Sequence, residues 1–186
     1  MSMKRRELLF AGGAAGAIAA SGVLVPVGFV LATDDAELSG ATGAELARFP
    51  TTSVASVAGL SVGEPIFFDY PLVGQSNMLV KLGQPAMGGV GDERDIVAFS
   101  NICTHMGCAI TDFQPEHHLL GPCPCHFSTF DLSRDGQVTL GQATQNLPRV
   151  LLEISGDTIS ATGLFRLVYG HSSSLGGVTA VPAPSR

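Results

Sequence analysis

The chain has 186 residues, enough for one domain plus an additional terminal segment, and its formal net charge is −6 at pH 7. Only 14% of the residues are charged, whereas glycine (23) and proline (11) are frequent, which favours a turn-rich β domain over long solvated helices. Residues 33–186 carry 7 basic and 15 acidic side chains, which argues against nucleic acid as a partner. An acidic surface suits a basic protein partner, although solubility alone explains it equally well.

The N-terminal segment has the organisation of an export signal. Lys4, Arg5 and Arg6 precede an uncharged stretch, residues 8–32, that is rich in glycine and alanine. The paired arginines, followed closely by two leucines, resemble a twin-arginine signal, which directs export of folded proteins. We therefore expect residues 1–32 to direct export to the periplasm. The segment is then either cleaved near its end or retained, with residues 8–32 as a membrane anchor.

Beyond this segment the sequence predicts strands separated by turns. Residues 33–50 are predicted to be a polar lead-in with at most one short helical turn, and no later stretch has a helical period. Residues 172–186, rich in glycine, serine and proline, are predicted to form an extended C-terminal arm. Alternation and turn residues predict strands at residues 65–70, 78–82, 95–99 and 118–121, a turn at 133–136, and a hairpin of 149–154 with 158–161.

All four cysteines lie between residues 103 and 125 and are interleaved with histidines, which is typical of a metal site and not of a disulfide scaffold. Two cysteines and two histidines can hold a structural zinc ion. Zinc motifs normally separate paired ligands by two or more residues, however, and here one residue separates Cys103 from His105. A four-cysteine iron–sulfur cluster would leave both histidines unused. A [2Fe–2S] centre with mixed cysteine and histidine ligation uses both residue types.

The two motifs, C-T-H-x-G-C and C-P-C-H-x-S, resemble those of the Rieske iron–sulfur family. The resemblance implies a [2Fe–2S] cluster in which Cys103 and Cys123 bind one iron, and His105 and His126 bind the other. Replacing two thiolates with neutral imidazoles removes negative charge from the cluster. The reduction potential is therefore expected to lie far above that of four-cysteine ferredoxins.

The resemblance is to the subclass of the Rieske family that carries a disulfide, and it implies a bond between Cys108 and Cys125. It also implies the family's all-β fold, an antiparallel β sandwich with a small cluster-binding subdomain of two loops. The Rieske domain is then expected at residues 51–171 and the cluster-binding subdomain at about 99–148.

The residues after the second motif distinguish branches of the family. In Rieske proteins of cytochrome bc complexes a serine and a tyrosine follow the second histidine, and their hydroxyl groups raise the potential by hydrogen bonding to sulfur. Here Ser128 matches the serine, but Phe130 stands at the tyrosine position. We therefore expect a reduction potential below that of the bc branch.

A further resemblance concerns the partner protein. The run GQATQNLP, residues 141–148, together with the two motifs and residues 163–170, resembles the small subunit of arsenite oxidase. That resemblance implies an electron-transfer subunit with no catalytic residue of its own. Its large subunit would hold a molybdopterin centre and a [3Fe–4S] cluster, and a cytochrome c or cupredoxin would accept the electrons. His105 or His126 would face the large subunit.

Two other complexes are alternatives. A related molybdenum enzyme acting on another oxyanion, such as an iodate reductase, would have much the same small subunit. A quinol-oxidising cytochrome bc-type complex fits the disulfide and the export signal. It does not fit Phe130, or residues 141–144 (GQAT), which have no proline where the bc branch has a proline-rich loop. The ferredoxin of an aromatic dioxygenase is nearly excluded, because such ferredoxins are cytoplasmic and lack the disulfide. A structural zinc module is a remote alternative.

Overall fold

The computed structural model describes residues 49–175, which form two antiparallel sheets with almost no helix in that range. Apart from one 3₁₀ turn, Leu132–Arg134, the regular elements of these residues are strands. The strands in chain order are β1 (Thr52–Ser56), β2 (Ile66–Asp69), β3 (Ser76–Lys81), β4 (Ile96–Ser100), β5 (Phe113–Gln114), β6 (Leu119–Leu120), β7 (Thr129–Asp131), β8 (Gln137–Leu140), β9 (Arg149–Ser155) and β10 (Thr158–Phe165). The predicted all-β class is confirmed.

The first sheet has six strands in the order β1-β10-β9-β4-β3-β2, and the second has four in the order β5-β6-β7-β8. The predicted strands coincide with β2, β3, β4 and β6 to within two residues, and the predicted hairpin is β9 and β10. Strand β10 continues to Phe165, four residues beyond its predicted end. Among the described residues, no helix is long and apolar enough to cross a membrane.

Several sequence predictions fall largely outside the described part of the chain. These are the export signal or anchor at residues 1–32, most of the lead-in at 33–50 and most of the C-terminal arm at 172–186. They remain predictions, as do the domain bounds 51–171 and 99–148.

Strands β3 and β4 lie between two hydrophobic cores, and their side chains are buried on both faces. Leu79 and Ala98 pack into one hydrophobic core, whereas Met78 and Val80 pack into a second core on the opposite face. The short continuous apolar runs of these strands are typical of strands covered on both sides. The two central strands therefore connect the two cores.

The first core lies between the two halves of the six-stranded sheet. Strands β4 and β9 pair at a single position, Phe99 with Arg149, and side chains from β2–β4 and from β1, β9 and β10 then share one apolar cluster. The second core lies between β3–β4 and the four-stranded sheet, with Leu120, Phe130 and Leu132 fully buried in it. The four-stranded sheet, which neighbours both motifs, is thus held against the two central strands.

Asp135 links the four-stranded sheet to the six-stranded sheet. Its carboxylate accepts a hydrogen bond from Arg149 Nη1 at 2.7 Å and another from Arg166 Nη2. Arg166 also donates through Nη1 to the carbonyl of Leu147 at 3.1 Å. Both guanidinium groups lie over the ring of Phe165, at 5.5 and 4.8 Å from its centroid. One carboxylate thus organises two cations that come from the start of β9 and the end of β10.

Replacing Asp135 with asparagine should lower the free energy of unfolding by about 2 kcal/mol. The substitution keeps the size of the side chain and tolerates the left-handed backbone at this position (φ 60°), but it removes the charge that two guanidinium groups share. Urea unfolding of the holo-protein measures the change. Glu93→Gln is the control, because Glu93 is exposed and its ion pair with Lys81 should contribute little. Equal stability of the Asp135→Asn variant and the parent would show that the network makes no net contribution.

Candidate metal centre

The first cysteine–histidine motif lies in a compact loop that follows β4. Its ends are joined by a hydrogen bond from the Cys103 N–H to the carbonyl of Cys108, at 2.8 Å. A second hydrogen bond, from the Gly107 N–H to the carbonyl of Cys103 at 2.9 Å, closes the turn inside the loop. The backbone N–H of Ile110 then bonds to the carbonyl of Asn101, so the chain leaves the loop beside the point where it entered.

The second motif lies in a loop between β6 and β7 that repeats this hydrogen-bonding pattern. The Cys123 N–H donates to the carbonyl of Ser128 at 2.8 Å, and the Phe127 N–H donates to the carbonyl of Cys123 at 2.9 Å. Each loop therefore begins on a cysteine and has a residue of positive φ four positions later, Gly107 at 77° and Phe127 at 62°. The two loops present their cysteine and histidine side chains from equivalent turns.

The free cysteines of the two loops, Cys103 and Cys123, are adjacent and are only 2% and 1% exposed. Burial raises the pKa of the Cys103 thiol. The backbone N–H groups of His105 and Met106 lower it, and the neighbouring Cys123 side chain raises it. Two adjacent buried sulfur atoms ionise together most readily when a cation compensates their charge. This donor set fits two thiolate ligands on one iron.

The histidines of the two loops face each other. The rings of His105 and His126 are 4.6 Å apart between centroids and almost perpendicular, at 89°. Nδ1 of His105 is buried and has no hydrogen-bond partner among the described residues, whereas His126 is exposed. A buried ring nitrogen without a partner is energetically unfavourable, and a metal bond to that nitrogen would remove the penalty. The two imidazoles therefore fit a second iron close to the first.

Cys108 and Cys125 form a disulfide between the two loops, as the sequence resemblance implies. The sulfur atoms of this bond and that of Cys123 all lie within 4.8 Å of one another. Sulfur atoms bonded to each other do not serve as thiolate ligands, so two free thiols remain. A four-cysteine cluster is therefore incompatible with this arrangement, whereas a mixed cysteine–histidine centre agrees with it.

Ser128 connects the second motif to residues 141–148. Its buried hydroxyl oxygen accepts hydrogen bonds from the backbone N–H groups of Gln142 and Ala143, at 3.1 and 3.0 Å. These bonds leave the hydroxyl proton available to donate, which agrees with the predicted hydrogen bond to sulfur. A Cβ atom on Gly141 would lie 2.6 Å from Ser128 N and also meet its Cα, so only glycine permits this approach.

Residues 141–148 also contact the first motif. The hydroxyl of Thr104 donates to the carbonyl of Gln145 at 2.6 Å. This contact was not predicted, because a threonine between two ligands gives no sign of its partner forty-one residues away.

Phe130 is fully buried in the same core as both free cysteines, where it pairs with Leu120 and Val138. The structure therefore brings together all the residues that the sequence assigned to this site.

Comparison with known proteins agrees with this geometry. Residues 53–151 match the family model described as the Rieske [2Fe-2S] domain. The chain is 43% identical over 176 residues, 94% of its length, to the iodate reductase subunit IdrB of Denitromonas iodatirespirans, of which it covers 88%. It is also 43% identical to the subunit of the same name from Pseudomonas sp. strain SCT, with 92% of this chain and 84% of that protein covered.

More distant relatives match over shorter stretches. The cytochrome bc1 complex Rieske iron–sulfur subunit of Streptomyces lividans is 44% identical over 63 residues, 33% of this chain and 36% of that protein. The soluble domain of Rieske protein II (soxF) from Sulfolobus acidocaldarius has a similar structure, with a TM-score of 0.55 and 28% identity over 62% of this chain and 78% of that one. The motifs, their loops and these similarities lead to one assignment. The chain belongs to the Rieske [2Fe–2S] family.

Proposed function

We propose that this chain is the electron-transfer subunit of an oxyanion-converting molybdenum enzyme similar to iodate reductase. The observation that carries the proposal is the identity of 43% to two iodate reductase subunits over more than nine-tenths of this chain. In such a complex a large catalytic subunit would bind the oxyanion. This chain would carry electrons between that subunit and a small redox protein, such as a cytochrome c or a cupredoxin.

When bound, a Rieske cluster supplies a one-electron carrier of high reduction potential. We propose that Cys103 and Cys123 hold one iron and that His105 and His126 hold the other. The cysteine and histidine side chains differ in their exposure to solvent, and their expected roles differ accordingly. The cysteines are buried and keep water away from the sulfur side of the site, whereas His126 is exposed and brings the other side to the protein surface. Electrons would enter and leave on the histidine side.

The surface around the two histidines is suited to contact with another protein. Met106 and Phe127, which follow the histidines in the two loops, are 57% and 65% exposed, and Leu140 at the end of β8 is also exposed. The residues of both motifs and the run 141–146 include no Asp, Glu, Lys or Arg. An exposed apolar surface without charges is typical of an interaction site. This surface supports a docked large subunit at the histidine side.

Arsenite oxidase is the second candidate for the enzyme, because residues 141–148 resemble the corresponding run of its small subunit. In the structure this run contacts both motifs, through Thr104 and through Ser128. An oxidase and a reductase would use the chain in opposite directions. The large subunit would reduce the cluster in the first case and oxidise it in the second.

A cytochrome bc-type complex is less well supported. The similarity to the Streptomyces lividans subunit is confined to one third of this chain, whereas the similarity to the iodate reductase subunits extends over nearly all of it. Phe130 in place of tyrosine and the absence of proline from residues 141–147 also distinguish this chain from the bc branch.

The proposed function is tested by purifying the chain with its partners from native extract, assaying molybdenum, and following the visible absorption of the cluster. Iodate should reoxidise the pre-reduced cluster in the complex but not in the isolated chain. Bleaching of the oxidised cluster by arsenite would instead identify an arsenite oxidase. A complex without molybdenum, in which only a quinol reduces the cluster, would contradict the proposal and favour the bc-type complex.

Replacing Phe130 with tyrosine should raise the midpoint potential of the cluster by on the order of 50 mV. The new hydroxyl group would lie in the core that contains both free cysteines, where a hydrogen bond to sulfur would stabilise the more negative, reduced cluster. Protein-film voltammetry measures the shift. Phe67→Tyr is the control, because Phe67 lies on β2, is exposed, and is not part of the core that contains the free cysteines. An unchanged potential in the Phe130→Tyr variant would mean that the missing hydroxyl does not explain the difference between branches.

We further propose that residues 1–32 export the folded protein to the periplasm. The support is the pair Arg5-Arg6 before an uncharged segment. Replacing both arginines with lysine should retain the protein in the cytoplasm, and the N-terminal sequence of the exported protein distinguishes a cleaved signal from a retained anchor. Export that is indifferent to the substitution would exclude the twin-arginine route.

A further inference from the structure

The segment that follows β10 returns to the first cysteine–histidine loop. The ring of Tyr169 lies directly on Gly107, so that a Cβ atom on Gly107 would be 2.7 Å from Cδ1 and 3.1 Å from Cε1 of the tyrosine. Gly107 has a φ of 77° and closes the turn of the loop through its bond to Cys103. The aromatic ring therefore covers the backbone immediately before the disulfide cysteine Cys108, at a place where any side chain would displace it.

The segment that carries Tyr169 is held on both sides of the ring. On the N-terminal side Arg166 bonds to Asp135 and to the carbonyl of Leu147. On the C-terminal side the carbonyl of Ser174, a buried residue, accepts a hydrogen bond from Gln75 Nε2 at 3.3 Å. One anchor lies beside the four-stranded sheet and the other at Gln75, just before β3, and together they fix the position of a tyrosine that is itself 43% exposed.

The other cross-links of the first loop differ from this contact in what they join. The disulfide, like a cluster shared by both loops, ties the first loop to the second and does not itself bond to the six-stranded sheet. Thr104 ties it to residues 141–148, which pack on the second loop. The contact between Tyr169 and Gly107 joins the first loop to the segment that follows β10, the last strand of the six-stranded sheet in chain order. It therefore supplies a restraint that the disulfide and the cluster cannot.

We propose that Tyr169 is a positioning residue for the iron–sulfur site: its ring fixes the first loop, and through it His105, against the six-stranded sheet, and shields the loop backbone from water. The contact is made by ring carbons, so phenylalanine should replace tyrosine without loss, whereas alanine should not. The role depends on the Rieske cluster and not on which oxyanion the partner subunit converts.

The test compares holo-protein variants Tyr169→Phe and Tyr169→Ala by three measurements. These are the rate at which an iron chelator removes the cluster, amide hydrogen exchange of the peptide that contains residues 103–108, and the electron paramagnetic resonance line widths of the reduced cluster. In Tyr169→Ala we expect cluster loss and exchange to be about tenfold faster, with broadened lines, because the loop samples more open states. Tyr169→Phe should stay within about twofold of the parent.

Leu151→Ala is the matched control, since it removes a large apolar side chain of similar exposure from β9, away from the two loops, and should change none of the three measurements. Parent-like cluster loss and exchange in Tyr169→Ala would overturn the proposal. So would a Tyr169→Phe variant as impaired as Tyr169→Ala, because the hydroxyl and not the ring would then matter.

If Tyr169→Ala does not yield holo-protein, a second test uses the Gly107→Ala variant. The added methyl group collides with the ring, so the Gly107→Ala variant should lose its cluster faster than the parent. Replacing the ring with the smaller leucine side chain, in Gly107→Ala/Tyr169→Leu, should reverse part of that acceleration. Strain from the positive φ persists in both variants and cancels in the comparison. Strictly additive effects of the two substitutions would show that the two side chains do not act through this contact, and would overturn the proposal.

Discussion

Serine in place of either Cys103 or Cys123 should abolish the visible absorption and the paramagnetic signal of the cluster, whereas serine at both Cys108 and Cys125 should preserve them. The first pair consists of adjacent buried free thiols, and the second pair forms the disulfide. Iron and acid-labile sulfide per chain, together with the absorption spectrum, measure the outcome. All four residues are cysteines of the two loops, so the contrast between the pairs depends on the roles that the structure gives them.

The disulfide variant should be less stable although it keeps its cluster. A cross-link between cysteines 17 residues apart contributes about 3 kcal/mol in chain-entropy models. The cluster ties the same two loops, so we expect a smaller loss in the holo-protein than in the cluster-free protein. Thermal unfolding of both forms tests this difference. Removing a bond that lies next to Cys123 should also speed the release of iron to a chelator.

Two outcomes would contradict the ligand assignment. Loss of the cluster in all four single cysteine variants would indicate a four-cysteine centre in a protein whose disulfide is reduced. One equivalent of zinc and no visible absorption in the parent protein would indicate a structural zinc site. His105→Ala distinguishes the assignments further, because a four-cysteine cluster would survive the loss of a histidine and the proposed centre would not.

Replacing Ser128 with alanine should lower the midpoint potential by on the order of 60 mV. A hydroxyl that donates to sulfur stabilises the reduced cluster more than the oxidised one. A difference of about 1.5 kcal/mol, ordinary for a hydrogen bond to a charged acceptor, corresponds to this shift in a one-electron couple. The same substitution removes the acceptor of two backbone N–H groups, on Gln142 and Ala143, so the free energy of unfolding should fall by about 2 kcal/mol.

Measuring both quantities separates the two roles of Ser128. A lower stability with an unchanged potential would mean that the hydroxyl holds residues 141–148 in place but that its proton does not reach a sulfur atom. Ser133→Ala is the control, because the Ser133 hydroxyl bonds to Asp131 in the same subdomain and the potential should not respond to its loss. A potential that falls equally in both variants would point to a general loosening of the subdomain.

Those parts of the fold that bury apolar side chains were predictable from the sequence. Strands β3 and β4 are continuous apolar runs, and the hairpin of β9 and β10 has the turn residues Ser155-Gly156-Asp157 between alternating segments. Strands β1, β5, β7 and β8 were not predicted. Strand β1 (TSVAS) has valine as its only large apolar residue, and the other three have only two to four residues, too few to show a period. Their pairing is set by the loops and by the shared core. The burial of Tyr70, which donates its hydroxyl to the carbonyl of Pro50, was likewise not predicted from the sequence.

The metal site was predictable in its residues but not in its supports. The spacing of cysteines and histidines predicts ligands such as Cys103 and His126. Nothing in the sequence, in contrast, predicts the contact of Tyr169 with Gly107 or that of Thr104 with Gln145. Those contacts join segments more than forty residues apart, so only the folded chain reveals them. The equivalence of the two loops was likewise hidden, because one has glycine and the other phenylalanine at the position of positive φ.

The hydrogen bond from the Ser100 N–H to the carbonyl of Pro148, at 2.8 Å, joins the two ends of the excursion that carries both motifs. Residues 101–148 are therefore an insertion between neighbouring strands, and an excursion whose ends are already fixed can vary in length at low entropic cost. The insertion also covers Met78, Val80 and Phe99, which are completely buried. Any opening of it would uncover an apolar strip on the central strands and make the chain prone to aggregate. We therefore expect a variant that cannot hold this insertion closed to be lost from solution by aggregation, and not to persist as an inactive form that competes for the partner protein.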